Sequence, residues 1–238
     1  MSEGIAEHLR ALRRAIDEEL RDIGRDPASV TLVGIGKGQG SDTISSAIAA
    51  GLTDLGESYL QEARRKFPSL PPVRKHFVGH LQTNKAKAIA SAFDVVQSVD
   101  RAQAGIALSK AALEMGKELP VLLQLNVSPV DRFGCPPSEA EWLAETLRGQ
   151  AGLCLEGVMA IGPLTPDRDA ILRAFELAAK TLARIGGSTL SIGMSGDWRE
   201  GLQAGSTMLR IGEALFGSRP AKEGPRGEVL QQFNGRHS

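Results

Sequence analysis

Cysteine is nearly absent. Cys135 and Cys154 are the only two in 238 residues, and no metal-type spacing relates them. That usage excludes a disulfide framework and leads us to expect two reduced, buried thiols. Neither sign of charge dominates: 28 basic residues balance 28 acidic ones, so no long-range field favours nucleic acid or an anionic membrane. No stretch approaches the roughly 18 apolar residues of a membrane span. The opening MSEGIAEHLRALRRAIDEEL also lacks the apolar core of a secretory leader. A soluble, cytoplasmic protein is the expectation. Aromatics are sparse at 4%, and Trp142 and Trp198 fall in helical stretches, where packing is their expected role.

The chain is rich in alternation. Ile5, Leu9, Leu12, Ile16, Leu20 and Ile23 recur at steps of three and four, one apolar face of an opening helix, and Gly24 is placed to end it. After it, the β-rich runs SVTLVGIG, LTDLG, RKHFVG, FDVVQSV, LPVLLQLNV, LCLEGVMAI, STLSIG and STMLRIG alternate with helical stretches. Among these are SDTISSAIAAG, ESYLQEARRKF, TNKAKAIASA, RAQAGIALSKAALEMG, SEAEWLAETLRG and DRDAILRAFELAAKTLARIG. Strands separated by helices pair in parallel through crossovers. The economical architecture is an α/β fold, a single closed (β/α)8 barrel of the TIM type preceded by an N-terminal helix. An open, doubly wound sheet is the alternative, because periodicity does not show whether a sheet closes. Residues 1–220 read as one domain, and 221–238, AKEGPRGEVLQQFNGRHS, as a flexible polar tail.

VTLVGIGKGQ, residues 30–39, ends an apolar run on a lysine. Alternation puts Val33, Ile35 and Lys37 on one face and Leu32, Gly34 and Gly36 on the other. If the first set faces the barrel interior, Lys37 stands at the C-terminal rim, where barrel enzymes keep their chemistry. Partial loss of hydration there favours the neutral amine that condenses with aldehydes. Taken alone, the stretch reads more readily as a solvated loop lysine just past the strand end.

A second signal lies near the other end. SIGMSGDWREG runs from the seventh strand into a helix, with Ser195 and Gly196 in the turn and Asp197 and Glu200 spaced as a capping box. MLRIGEALFG then supplies Arg210 at the end of the eighth strand and Gly212 in its loop. The loops after strands 7 and 8 form the usual phosphate site of such barrels. With Lys37 they describe a site for a phosphorylated aldehyde.

HFVGHLQTNK, residues 76–85, makes a family likeness specific. It resembles the signature of the pyridoxal-phosphate homeostasis proteins, small barrels related in fold to the N-terminal domain of alanine racemase. GESYLQE at 56–62, VLLQLNVS at 121–128, GVMAIGP at 157–163, GMSGD at 193–197 and LRIGEALFG at 209–217 match in order, as far as about Arg219. The resemblance implies that Lys37 carries pyridoxal 5'-phosphate (PLP) as a Schiff base. It implies further that Met194, Ser195, Gly196, Gly212 and Glu213 surround the phosphate, that Arg210 lies beside the cofactor, and that Ser58 and His80 line the pocket.

Four positions depart from the family pattern. Gly36 and Gly38 replace the serine and threonine that usually flank the lysine, and we expect a less rigid rim. Ser58 replaces an asparagine. Glu213 replaces a small hydroxylated residue and should turn outward, because a carboxylate is unfavourable beside a phosphate. His76 and His80 are four apart, a zinc-like spacing, but they bracket a strand end without a third ligand, so no metal is expected. Asn84 reaches the rim only if its helix begins there, and Lys85 and Lys87 read as a solvated face.

Three functions fit these residues. The first is a PLP carrier that holds the cofactor on Lys37 and delivers it to apo-enzymes, with an indirect effect on amino-acid and keto-acid balance. The second is a weak PLP-dependent amino-acid racemase, and the third a cofactor-free Schiff-base aldolase. The carrier is preferred, because Arg210 opposes protonation of the ring nitrogen and leaves the ring a poor electron sink. Tyr59, the single tyrosine, is expected to pack against a neighbouring helix, and a monomer is expected.

Overall fold

The computed structural model describes residues 2–217 except Asp131, so the tail expected over 221–238 lies outside the described residues. Eight parallel strands close on themselves in chain order: β1 (Thr31–Ile35), β2 (Asp54–Glu57), β3 (Arg74–Phe77), β4 (Val95–Val99), β5 (Leu119–Leu125), β6 (Leu153–Ala160), β7 (Thr189–Ser191) and β8 (Met208–Ile211), with β8 pairing back to β1. Closure excludes the open sheet. Helix α1 (Ser2–Asp22) precedes the barrel. The helices α2 (Ser41–Ala49), α3 (Leu60–Lys66), α4 (Ala86–Ala92), α5 (Ala102–Glu114), α6 (Ala140–Arg148), α7 (Arg168–Ile185), α8 (Trp198–Gln203) and α9 (Glu213–Phe216) follow the strands in turn.

The apolar stripe of α1 does what its spacing predicts. Ile5, Leu9, Leu12, Ile16 and Leu20 are buried in a cluster with Leu32, Leu52, Leu209, Ile211 and Leu215, sealing the outside of the barrel where β8 meets β1. Gly24 ends the helix at φ +71°, and the Arg25 N–H reaches the Leu20 carbonyl at 2.7 Å. A residue in that left-handed conformation satisfies carbonyls a helix end leaves open.

Inside, β1 presents Val33 and Ile35. A Cβ at Gly56, on the neighbouring strand, would lie 2.5 Å from Ile35 Cδ1 and 3.2 Å from Val33 Cγ1, so a larger residue there would have to displace the Ile35 side chain. The opposite face of β1 meets the helices, since a Cβ at Gly34 would strike Leu52 and Leu215.

Two side chains correct the sequence reading. Cys135 is buried but Cys154 is exposed, because it stands near the start of β6, where the strand is only partly covered; both thiols are free. Trp142 is 58% exposed, lying off the buried face of α6 formed by Ala140, Leu143, Ala144 and Leu147. Trp198 does pack in the core.

Candidate functional site

Strand β1 ends at Ile35, and Lys37 lies in the turn two residues beyond it, half-buried at the C-terminal mouth. Its Nζ sits 5.0 Å from the centroid of the Tyr59 ring. Tyr59 is 52% exposed, more open than a packing role requires. The stretch read as helix from Glu57 begins only at Leu60; Tyr59 precedes it in extended backbone. Glu57 is the last residue of β2. An ammonium over a phenol face gains a cation–π attraction of about 0.5–1 kcal/mol at an exposed site.

The glycines flanking Lys37 are pinned, against the expectation of a looser rim. The buried Lys66 ammonium donates to the Gly36 carbonyl at 2.7 Å, to Glu57 Oε1 at 2.6 Å and to Glu62 Oε2 at 2.8 Å. Glu62 Oε2 in turn accepts the Gly38 N–H at 3.0 Å. Gly38 has φ +76°, a conformation that L side chains adopt only under strain. None of these contacts was read from the sequence; the hint available was the i, i+4 spacing of Glu62 and Lys66.

Across the mouth, the turn after β7 holds Met194, Ser195 and Gly196. The expected capping box does not form. Asp197 has φ −143° and ψ 20°, outside the usual N-cap region, and its Oδ1 accepts from the Met194 N–H at 2.5 Å instead. Burial pushes the Asp197 carboxyl up, against the Met194 bond and the nearby Arg210. Glu200 faces Arg168 at 3.3 Å, and Arg168 donates to the Gly196 carbonyl at 2.6 Å, a clamp on the turn that the sequence reading missed. Ser195 Oγ accepts from the Ala214 N–H at 3.3 Å, joining this turn to the start of α9. A Cβ at Gly196 would meet nothing within 4 Å, so open space borders the turn, and Glu213 is exposed.

Arg210 lies on β8 opposite Val33, 4% exposed. Its Nη1 donates to the Ser191 carbonyl and hydroxyl, each at 2.6 Å, and its Nη2 to the Ala160 carbonyl at 2.8 Å. Burial lowers the guanidinium to about 10, with Asp197 opposing. From Ser191 a chain of polar groups crosses the interior. The Ser191 hydroxyl donates to Gln97 Oε1 at 2.7 Å, and Gln97 Nε2 stands 2.9 Å from His76 Nδ1. His76 Nε2 is 2.9 Å from Asp54 Oδ1. With Asp54 ionised, one assignment satisfies every link, each group donating to the next from Arg210 to Asp54. Both ring nitrogens of His76 are thereby occupied by protein partners.

His80 lies on the far side of the mouth. Its ring stacks on Phe133 at 3.8 Å between centroids and lines a cavity of about 530 Å³ with Val78, Gln124, Asn126 and Arg132. Ser58, half-buried, directly follows β2. Asn84 is exposed in a short 3-10 turn, Thr83–Lys85, ahead of α4.

Residues 8–220 match the family described as alanine racemase, N-terminal domain. Over 220 residues the sequence is 40% identical to the pyridoxal phosphate homeostasis protein of Pseudomonas aeruginosa, covering 90% of this chain and 96% of that one. The chain belongs to the pyridoxal phosphate homeostasis protein family. The Escherichia coli K12 protein of this family is 34% identical over 229 residues, with 90% and 97% coverage. PipY of Synechococcus elongatus, solved with PLP bound, is similar in fold at a TM-score of 0.78 and 30% identity, covering 90% of this chain and 100% of that one. Alanine racemase of Clostridium difficile shares the fold at a TM-score of 0.65 and 12% identity, and this chain spans 58% of it. Within the pyridoxal phosphate homeostasis protein family, then, this chain frames its lysine with two glycines, one of which needs its positive φ.

Proposed function

We propose that this protein binds PLP, holds it as a Schiff base on Lys37 and acts as a carrier that buffers the cofactor and delivers it to apo-enzymes. The observation that carries the reading is the placement of Lys37: a half-buried amine on a pinned turn, at the same mouth as the turns after β7 and β8. The residues fit the group. Ser195 and Gly196 offer a hydroxyl and main-chain donors beside open space for a phosphate, and Gly212 leaves room next to Ile35. The Arg210 Nε–H has no acceptor among the described residues, and the buried cation disfavours a protonated ring nitrogen. Bound PLP supplies a reactive aldehyde and a conjugated ring; this chain holds, shields and releases it.

The test is a visible spectrum of purified, PLP-loaded protein before and after borohydride, followed by peptide mapping. Reduction should fix a pyridoxyl group on Lys37, and a label on another lysine would remove the assignment. Ser195→Ala should weaken PLP retention by about ten- to hundredfold, the range of a charge-assisted phosphate bond.

A racemase reading gains one observation, the nearness of Tyr59 to Lys37. Racemisation needs one base on each face of the substrate carbon, and the buried Arg210 cation leaves the ring a poor electron sink, so the carrier reading is preferred.

A further inference from the structure

Three charged side chains behind Lys37 have no part in holding a phosphate or a ring. Glu57 is wholly buried and Lys66 is 2% exposed, an ion pair set between the barrel wall and its helices. The second Glu57 oxygen, Oε2, has no partner among the described residues. A buried pair of this kind is weak evidence of stabilisation, because desolvating both charges costs about as much as their attraction returns. Its contacts point elsewhere. Lys66 grips the carbonyl before Lys37, and Glu62, which Lys66 holds in place, grips the N–H after it. The nucleophile's turn is therefore fixed at both ends by one linked set of charges that leaves the Lys37 side chain alone.

We propose that Glu57, Lys66 and Glu62 form a latch that positions Lys37, so that the presentation of its amine at the mouth depends on their contacts with Gly36 and Gly38. They are positioning residues. The proposal rests on Lys37 being the reactive amine, as in the proposed function, but it concerns the turn and holds for any small aldehyde. An error of about 1 Å in the placement of a reacting group is enough to cost on the order of a hundredfold.

Glu62→Ala is the variant of choice, because Glu62 is a quarter exposed and its loss leaves the buried Lys66–Glu57 pair intact. Two measurements on PLP-free protein read the latch. Hydrogen exchange at the Gly38 amide should quicken by about tenfold or more, while β5 and α7 keep wild-type protection. Reductive methylation with formaldehyde should bring Lys37 closer to the rate of the exposed Lys110 and Lys180. Glu62→Gln retains an acceptor for the Gly38 N–H and should restore most of the protection. On loaded protein, PLP should dissociate about tenfold faster from Glu62→Ala. Unchanged Gly38 exchange, or an unchanged Lys37 methylation rate, would overturn the latch. Should PLP fail to label Lys37 in the wild type while both PLP-free measurements move as expected, the latch stands and the carrier reading falls.

Discussion

Arg210 Nη1 and the Ser191 hydroxyl stand 2.6 Å apart, and through that contact a buried cation of β8 is joined, by way of Gln97 and His76, to Asp54, the first residue of β2. Small barrels usually fill their interior with branched apolar side chains. Here a polar chain does so, and it is tolerable only while each member keeps its partners.

Gln97→Leu breaks the chain at its middle. It removes the acceptor of the Ser191 hydroxyl and the donor to His76 Nδ1, leaving polar atoms buried without partners. Each costs about 1–3 kcal/mol. We expect a lower urea midpoint at pH 7 and weaker PLP retention, since the Ser191 hydroxyl that meets Arg210 then loses the partner that orients it. An unchanged midpoint would show that the chain contributes nothing to stability. Arg210→Ala goes further, stripping the Ala160 and Ser191 carbonyls of donors inside the barrel, so it should destabilise the fold as well as weaken cofactor binding.

Asp54 gives the chain a pH signature. Burial alone would raise its carboxyl, but hydrogen bonds from His76 and Thr53 outweigh burial and hold it below the ordinary carboxylate range. The native state then binds fewer protons than the unfolded chain. The resulting stability is fully present above the unfolded value of about 3.9 and is lost as pH falls through the lower native value. Asp54→Asn should cost stability at pH 7 and progressively less toward pH 3, measured as wild-type-minus-variant midpoints in urea. A difference independent of pH would refute the linkage. Glu57 has the opposite sign: burial raises it against the pull of Lys66, so its contribution is present at low pH and declines as pH rises through the native value.

Two glycines should resist replacement for different reasons. Gly56→Ala drives a methyl to 2.5 Å from Ile35 Cδ1, an overpacking that costs about 1–3 kcal/mol. Gly38→Ala meets strain from its φ of +76°, about 1–2 kcal/mol, which the turn can relieve only by moving Lys37. Thermal melts should therefore fall for both. Loss of PLP retention beyond the stability effect is expected for Gly38→Ala, and equal retention in the two variants would argue against a strained turn.

The barrel was legible because its signals are local. The stripe of α1 lies within one helix, the strands are short apolar runs, and Lys37, Ser195, Gly196 and Arg210 sit in recognisable stretches at strand ends. What escaped is non-local or lies at a boundary. Lys66 meets Gly36 thirty positions away, and Asp54, His76, Gln97, Ser191 and Arg210 come from five strands, so no window of sequence holds the set. Tyr59 was misplaced because ESYLQE has helical composition from its first residue, whereas parallel pairing with β3 keeps Glu57 in the strand and delays the helix to Leu60. Asp197 had the spacing of a cap, but its carboxylate is drawn back to the Met194 N–H.

The position of Tyr59 bears on what the protein should fail to do. Racemisation at an amino-acid Cα needs one base on each face of the substrate, since a single base that removes the proton tends to return it to the same side. Lys37 serves one face. Tyr59 is the only phenol in the chain, and its ring centroid lies 5.0 Å from Lys37 Nζ, close beside that base. The buried Arg210 cation also opposes the ring protonation that would delocalise a carbanion, and each 1.36 kcal/mol lost from transition-state stabilisation slows the reaction about tenfold. PLP-loaded protein incubated with single enantiomers of common amino acids in deuterated water should therefore show no sustained loss of optical purity. Tyr59→Phe, which keeps the ring under Lys37, should leave both that result and PLP retention unchanged. Catalytic racemisation that disappears in Tyr59→Phe would make the phenol the second base and the protein an enzyme rather than a carrier.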